Sequence, residues 1–239
     1  MHKLNKIGEK IKQIGNRMVK CNKICNGVTH ELREGIIPRC LWFDSDKKTK
    51  NIGLVIVALN PGEIEPDEQG HYKSYYRIRK TNGLYLETVE WLKDYLEEDS
   101  KTKKRLHEKS PFYTKLKNLL KESDLNNRPI LWSELVKCQN ITKKEKLDVQ
   151  TIRTCIGEYL NKELREIPPE WPIIAVGRDA FDVLAYRYLN RMIIGIPHIS
   201  GGWGISNKKL RALSKRIKKI LRNNNKRIEA RWLKLSKRN

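Results

Sequence analysis

The chain has 239 residues and a formal net charge of +22, because 50 lysines and arginines stand against 28 aspartates and glutamates. This surplus favours a polyanionic partner, and we expect single- or double-stranded DNA. No apolar stretch approaches the roughly 18 residues of a membrane span, and the N-terminus lacks the apolar core of a signal peptide, so we expect no membrane partner and a cytoplasmic location. The length fits one substantial domain with basic extensions, which we expect to be a monomer.

The first half of the chain reads as a helix, a strand, a loop, two helices and a strand. A basic amphipathic helix is predicted over residues 1–20, with apolar side chains at helical spacing at Leu4, Ile7, Ile11, Ile14 and Met18. A β-branched and aliphatic run predicts a buried strand at 52–59. A polar loop from 60 to about 80 is predicted next, then helices at about 83–98 and 113–121 and a strand at 129–136.

The second half repeats strand, turn and helix. Helices are predicted at about 149–165 and 179–189, strands at 171–176 and 192–196, and a helix rich in lysine and arginine from about 206 onward. This alternation predicts an α/β fold, a three-layer α/β/α sandwich around a mostly parallel four-stranded sheet. The predicted organisation is a basic helix at 1–20, one domain at 21–205, and a basic helix at 206–239 that packs on the domain and leaves its charged face free.

The strand predicted at 52–59 stops abruptly at Asn60-Pro61-Gly62. Ligands of open α/β sheets bind outside the carboxyl ends of the strands, so Asn60 stands where chemistry usually takes place. Pro61 fixes the backbone, while Gly62 permits a positive φ or the close approach of a ligand. An ordinary exit from strand to loop is the alternative interpretation.

Four segments occur in the order found in one superfamily. They are Ala-Leu-Asn-Pro-Gly at 58–62, Ser-Glu-Leu-Val-Lys-Cys at 133–138, Ala-Val-Gly-Arg-Asp-Ala at 175–180 and Pro-His-Ile-Ser at 197–200. Together they resemble the uracil-DNA glycosylases over about residues 20–205. The Asn-Pro-Gly turn is similar to the mismatch-specific and single-strand-selective branches, and the Val-Lys-Cys strand end is similar to the iron–sulfur branch. The resemblance implies a monofunctional DNA glycosylase that hydrolyses the N-glycosidic bond of a deaminated or damaged base in DNA repair.

The resemblance also implies roles for residues at the strand ends. Asn60 would orient the water that attacks the sugar C1′, and His198 would donate a hydrogen bond to the departing base. Ser200 and the backbone of Gly201 and Gly202 would hold the phosphates that flank the base. A structural histidine after a proline turn is the alternative for His198. Two carboxylates just after the first turn, Glu63 and Glu65, are further candidates for activating water.

Glu134 stands where the iron–sulfur branch carries an asparagine that reads the edge of uracil. Because an ionised carboxylate only accepts hydrogen bonds, Glu134 favours a base that presents amino or imino donors. A surface or salt-bridge role is the alternative. Gly62 would leave room for the base, with Glu134 and Ser200 at its edge.

Tyr72 is the predicted aromatic that stacks on the extruded base, with Tyr75 and Tyr76 as alternatives. Lys73 and Arg77, in the same segment, are predicted to contact DNA phosphates. An ordinary solvated face is the alternative for these two cations.

Five cysteines in a cytoplasmic protein argue against a disulfide framework, and their odd number favours metal ligation or scattered thiols. By resemblance to the iron–sulfur branch, the expected ligands of a [4Fe–4S] cluster are Cys21, Cys25, Cys138 and Cys155. Cys40 is a possible substitute for either member of the first pair. Zinc and free buried thiols are the alternatives.

Two other functions stay open from the sequence. One is a catalytically inactive nucleic-acid-binding protein of the same fold, because a neutral amide is a poor base and Glu134 departs from the branch pattern. The other is hydrolysis of free nucleosides or nucleotides, which leaves the charge surplus unexplained.

Overall fold

A computed structural model describes residues 2–43, 52–62, 64, 66–96, 111–141, 147–199, 205–223 and 229–234. Its α-helices are α1 His2–Met18, α2 Pro66–Arg79, α3 Leu84–Leu96, α4 Pro111–Glu122, α5 Val149–Cys155, α6 Asn161–Glu166, α7 Arg178–Arg187 and α8 Asn207–Asn223. A 3₁₀ turn covers Leu32–Glu34, and a π-helical turn, Ile156–Leu160, joins α5 to α6. The strands are β1 Val28–Thr29, β2 Leu41–Phe43, β3 Leu54–Ala58, β4 Ile130–Glu134, β5 Gln139–Asn140, β6 Ile173–Val176, β7 Ile193–Ile196 and β8 Ala230–Trp232.

The fold is mixed α/β, with a mostly parallel six-stranded sheet of order β2-β4-β3-β6-β7-β8. β3, β6, β7 and β8 run parallel, with Val55 opposite Ile173, Ile173 opposite Ile193, and Ile193 opposite Ala230. The α/β class and the four predicted strands are confirmed. The sheet has six strands where four were predicted, because β2 and β8 add an edge strand on each side.

A second, two-stranded sheet pairs β1 with β5 in antiparallel register. Val28 lies opposite Asn140, and Thr29 lies opposite Gln139. Because β5 follows Cys138 directly, this small sheet connects the N-terminal cysteine segment with the exit of β4.

The chain divides into two compact units. Unit 1 comprises the described residues within 1–43, 58–92 and 131–168, and unit 2 comprises those within 44–57, 93–130 and 169–239. The predicted boundaries at residues 20 and 205 stay a prediction.

The core of unit 1 includes the apolar face of α1. Ile7, Ile11, Ile14 and Met18 are buried, as the helical spacing predicted, and α1 packs against α6 and β2. Gly15 is required by packing, since a Cβ there would lie 2.2 Å from the ring of Tyr85. The helix predicted at the N-terminus is therefore a structural part of unit 1.

The polar loop predicted for 60 to about 80 is wrong over most of its length, because residues 66–79 form α2. Only Glu68 and Tyr72 of this helix are buried, so the segment has little apolar periodicity to reveal it. Tyr72 is fully buried in a cluster with Val19, Ile37, Leu84 and Tyr85.

Unit 2 places α7 against β6 and β7, and α4 against α8. The helical spacing of Leu210, Leu213, Ile217, Ile220 and Leu221 predicts the docked face of the C-terminal helix; the first four are buried and Leu221 is half-buried. The opposite face of α8 carries exposed lysines and arginines. Within the described ranges, no helix combines the length and apolar character needed to cross a membrane.

Candidate functional site

The exits of β3 and β4 stay hydrogen-bonded to each other in unit 1. The amide of Leu135 donates to the carbonyl of Ala58, and that of Val136 donates to the carbonyl of Leu59, both at 2.9 Å. These bonds extend the pairing of the two strands to the residue before Asn60. The Asn60 turn is consequently fixed beside the segment that carries Lys137 and Cys138.

Asn60 is half-buried and its amide nitrogen is engaged. Nδ2 donates to the side-chain oxygen of Asn140 at 2.8 Å and to the carbonyl of Pro61 at 3.2 Å. These contacts orient the amide and leave its Oδ1 as the acceptor for a water proton. Gly62 is exposed, and a Cβ there would meet no atom of the described residues within 4 Å.

Glu134 ends β4 and is buried at 5% exposure. Its Oε1 accepts a hydrogen bond from the indole nitrogen of Trp132 at 3.1 Å, while Oε2 makes no hydrogen bond with any described residue. Burial raises the pKa of this carboxyl to about 7, although Lys137 and Arg39 act in the opposite direction. The side chain therefore keeps one buried oxygen without a partner among the described residues, and this oxygen accepts when ionised and donates when protonated.

A buried ion pair lies behind the strand end. Lys137 Nζ donates to Glu163 Oε2 at 2.8 Å, Ser133 bonds to both groups, and all three side chains are fully buried. Burial is the largest effect and lowers the pKa of Lys137, but the charge and hydrogen bond of Glu163, together with Cys40 and Cys155, outweigh it and raise that pKa. Its amine is therefore a held cation and is unsuited to act as a nucleophile.

Four cysteines line one cavity in unit 1. Cys21 and Cys25 belong to the segment after α1, Cys138 follows β4, and Cys155 ends α5. The rest of the lining mixes apolar residues with charged and polar ones, and it includes Tyr159 of the π-helical turn. The structure thus brings together the four residues that the resemblance named as cluster ligands.

Individual polar groups contact the thiols, and burial shifts their pKa values. The backbone amide of Lys137 donates to the sulfur of Cys155 at 3.2 Å. Burial and the neighbouring thiols raise the pKa of Cys138 well above its ordinary value, and burial raises that of Cys155 to about 11. Burial and a hydrogen bond with Cys21 likewise raise the pKa of the Tyr159 hydroxyl.

Four cysteine side chains are a donor set that either a [4Fe–4S] cluster or a zinc ion takes. A zinc ion at about 2.3 Å from each sulfur draws the four sulfurs around one point, and among the described residues no group of three or more His, Cys, Asp and Glu side chains is already arranged to hold a metal ion. In a [4Fe–4S] cluster each thiolate binds a different iron, so the sulfurs surround a larger common volume.

Cys40 lies apart from this set. It is buried beside Glu163, and it is not among the described residues that line the cysteine cavity. Burial, with a further contribution from Glu163, raises the pKa of its thiol well above the ordinary value. This position favours a packing role over substitution for Cys21 or Cys25.

His198 follows β7 in unit 2. Its ring centre lies 5.7 Å from that of Phe112, and burial of part of the imidazole lowers its pKa. The residue is nevertheless exposed, and the lowered pKa favours the neutral imidazole. Asn60 belongs to unit 1, so the predicted convergence of the two side chains stays a prediction.

The remaining predicted site residues have mixed outcomes. Tyr72 has 0% exposure, so its ring offers no free face for a base, which corrects the prediction that it stacks. Lys73 is exposed and donates to Glu34 at 2.7 Å, and Arg77 is exposed. Outside the described residues lie Glu63, Glu65, Ser200, Gly201 and Gly202.

Sequence reasoning missed Asn140 and His30. Asn140 orients Asn60, and His30 contacts Cys138, yet neither stands in a segment that carries the resemblance. The available signals were weak: a histidine between two cysteine segments and an asparagine two residues after a cysteine.

No family model matches the chain, and no curated protein matches it.

Proposed function

We propose that this protein is a monofunctional DNA glycosylase of the uracil-DNA glycosylase superfamily, hydrolysing the N-glycosidic bond of a deaminated or damaged base. It would act as a cytoplasmic monomer, with helices on both faces of the sheet in a three-layer α/β/α sandwich. The observation that carries the proposal is the convergence of Cys21, Cys25, Cys138 and Cys155 on one cavity. That set is the one expected from the iron–sulfur branch, and it comes from three separate segments of the sequence.

The attack on the sugar is assigned to a water held by Asn60. Its Nδ2 donates to Asn140, so Oδ1 is the atom that would accept a hydrogen bond from the water. This contact would direct a lone pair of the water oxygen at C1′. An amide orients water but scarcely accepts its proton, so the reaction depends on departure of the base as an anion. Contacts that stabilise the departing base would therefore supply most of the rate acceleration.

His198 is the proposed donor to the departing base. Because burial lowers its pKa, the imidazole is neutral and donates one N–H without needing protonation. A donor aimed at developing negative charge contributes about 3–4 kcal/mol in comparable sites. Monofunctional chemistry is supported by Lys137, since this lysine, which lies at the exit of β4, is locked in its pair with Glu163.

Glu134 is the proposed reader of the base edge. Its Oε1 is bonded to Trp132, and Oε2 is the free atom. In the ionised form Oε2 accepts from an imino or amino group, as in hypoxanthine or xanthine. A base extruded from DNA costs a few kcal/mol in lost stacking and pairing, and edge contacts of this kind recover part of it.

The four cysteines are the proposed holders of a [4Fe–4S] cluster, which supplies a rigid cross-link and takes no part in hydrolysis. Bound there, it would join the segment after α1 to the exit of β4 and the end of α5. The exit of β4 in turn pairs with the exit of β3 before Asn60. The cysteines would therefore support the geometry of the Asn60 turn.

DNA contacts are proposed for the free face of α8. Exposed cations there include Lys208, Lys215 and Arg216. Log affinity falls as log salt concentration rises, and each phosphate contact steepens that fall by about 0.9. Neutralising Lys208 and Lys215 should therefore lower that slope by up to about two, whereas Arg165→Gln, an exposed change on α6, should leave it unchanged.

The function is tested by incubating cluster-loaded protein with duplexes and single strands that carry uracil, hypoxanthine, xanthine or a mismatched thymine. Abasic sites should form from at least one of these. Asn60→Ala and His198→Ala should each lower the single-turnover rate by about 100-fold or more. Asn118→Ala, an exposed asparagine on α4, is the matched control and should keep the wild-type rate. No abasic product from any substrate would overturn the proposal.

A second function, binding of altered nucleic acid without catalysis, is favoured by the burial of Tyr72. Because its ring lies in the core, Tyr72 cannot stack on an extruded base. Tight, salt-dependent binding to one of the same duplexes without abasic product would support this alternative.

A further inference from the structure

His30 occupies a position that joins the two cysteine segments. It follows β1, and the antiparallel register that places Val28 opposite Asn140 and Thr29 opposite Gln139 places His30 opposite Cys138 when continued by one residue. The backbone thus brings the imidazole to the second cysteine segment. The side chain is half-buried.

The ring makes one polar contact with each segment. Nε2 lies 2.6 Å from the carbonyl oxygen of Cys21, and Nδ1 lies 3.4 Å from the sulfur of Cys138. Because a carbonyl oxygen only accepts, Nε2 carries a hydrogen and donates it. That contact fixes the ring orientation, and in the neutral ring it leaves Nδ1 as the acceptor of a hydrogen bond from the Cys138 thiol.

A Cys–His catalytic pair does not account for this geometry. Reactive cysteines lie in partly exposed surroundings, but Cys138 is buried. The sulfur also lines the cavity with Cys21, Cys25 and Cys155. The contact therefore belongs to the ligand set.

We propose that His30 is a positioning residue of the cysteine site, holding the Cys21 backbone and the Cys138 sulfur at the separation that a common cluster requires. The inference rests on the cluster in the proposed function. Removing a residue that hydrogen-bonds to a metal ligand, without touching the metal itself, typically lowers metal affinity by about 10–100-fold. His30 is the described side chain that reaches both the first and the second cysteine pair through hydrogen-bonding atoms.

Two conservative variants separate the two contacts. The amide of His30→Asn reaches the place of Nδ1 and keeps a polar group at the Cys138 sulfur. The amide of His30→Gln reaches the place of Nε2 and keeps the contact with the Cys21 carbonyl. His30→Ala removes both. His71→Gln, at another half-buried histidine of unit 1, is the control for a general loss of stability.

Each protein is reconstituted anaerobically with iron and sulfide, and loss of the visible cluster absorption is followed under an iron chelator together with the reduction potential. We expect His30→Ala to lose its cluster about 10-fold faster than wild type or more, with Asn and Gln between them. The potential should change in the Ala and Gln variants, which leave the Cys138 sulfur without its polar neighbour, and stay near the wild-type value in the Asn variant.

Wild-type rates and potentials in all three His30 variants would overturn the inference, as would equal cluster loss in His71→Gln. A wild-type protein that takes up no iron would overturn both the inference and the proposed cofactor. If cluster-loaded wild-type protein releases a base while the His30 variants match it in cluster loss and reduction potential, the inference alone would be overturned.

Discussion

Replacing Glu134 with glutamine tests the electrostatics of the strand end directly. Glutamine has nearly the same shape and keeps an oxygen that accepts from the Trp132 indole, but it cannot ionise. The change therefore removes the buried negative charge while leaving the packing of β4 almost intact. Lys137 and Arg39, the cations that act on Glu134, remain in place and stay charged across the pH range tested.

The magnitude follows from the raised pKa. A shift from 4.5 to about 7 corresponds to about 3 kcal/mol at 1.36 kcal/mol for each unit. Because the folded-state pKa lies above that of the unfolded chain, the folded protein holds an extra proton between these values, and its stability falls as pH rises through them. We expect Glu134→Gln to be more stable than wild type by about 3 kcal/mol at pH 8 and by about 1 kcal/mol at pH 5.

The assay is urea denaturation of both proteins at pH 5, 6, 7 and 8 in the same state of cluster loading. Other titrating groups are common to both proteins, so the difference between the two curves isolates Glu134. Glu90→Gln, an exposed change on α3, should show no such pH-dependent difference. A stability difference that stays constant or shrinks as pH rises would refute the reasoning.

Two further changes test the packing of unit 1. Lys137→Met should lower the free energy of unfolding by about 3–5 kcal/mol, because Glu163 is left buried without its partner. Adding Glu163→Leu should restore much of that loss. A loss below about 1 kcal/mol in urea denaturation would contradict the buried pair. Gly15→Ala should destabilise by about 1–3 kcal/mol, since its Cβ would meet the Tyr85 ring. Gly70→Ala, which meets nothing within 4 Å, should be neutral or stabilising, and equal losses in both glycine variants would count against this packing.

The sheet was predictable where burial is complete. β3, β6 and β7 are apolar on both faces, so continuous Val and Ile runs marked them within a few residues. β8 was not predictable, because its residues Ala230 and Arg231 are exposed and it lies among charged residues. An edge strand of three residues leaves too little pattern to separate it from a basic tail.

Parts of the site escaped prediction because their environment is tertiary. The four cysteines were identified through the resemblance, but burial of Lys137 with Glu163 has no local signal, since lysine is rarely buried. The contact of His30 with Cys138 depends on the register of β1 and β5, two strands of two residues each. Tyr72 was assigned to a base because its segment reads as a polar loop, whereas α2 turns the ring into the core.

The account depends most on the cysteine cavity, and the content of iron and acid-labile sulfide in anaerobically purified protein tests it most directly. We expect about four of each per chain, with a loss of both in Cys138→Ser and no loss in Cys40→Ser. Stoichiometric zinc without sulfide, or a folded wild-type protein that stays free of iron after reconstitution, would contradict the account.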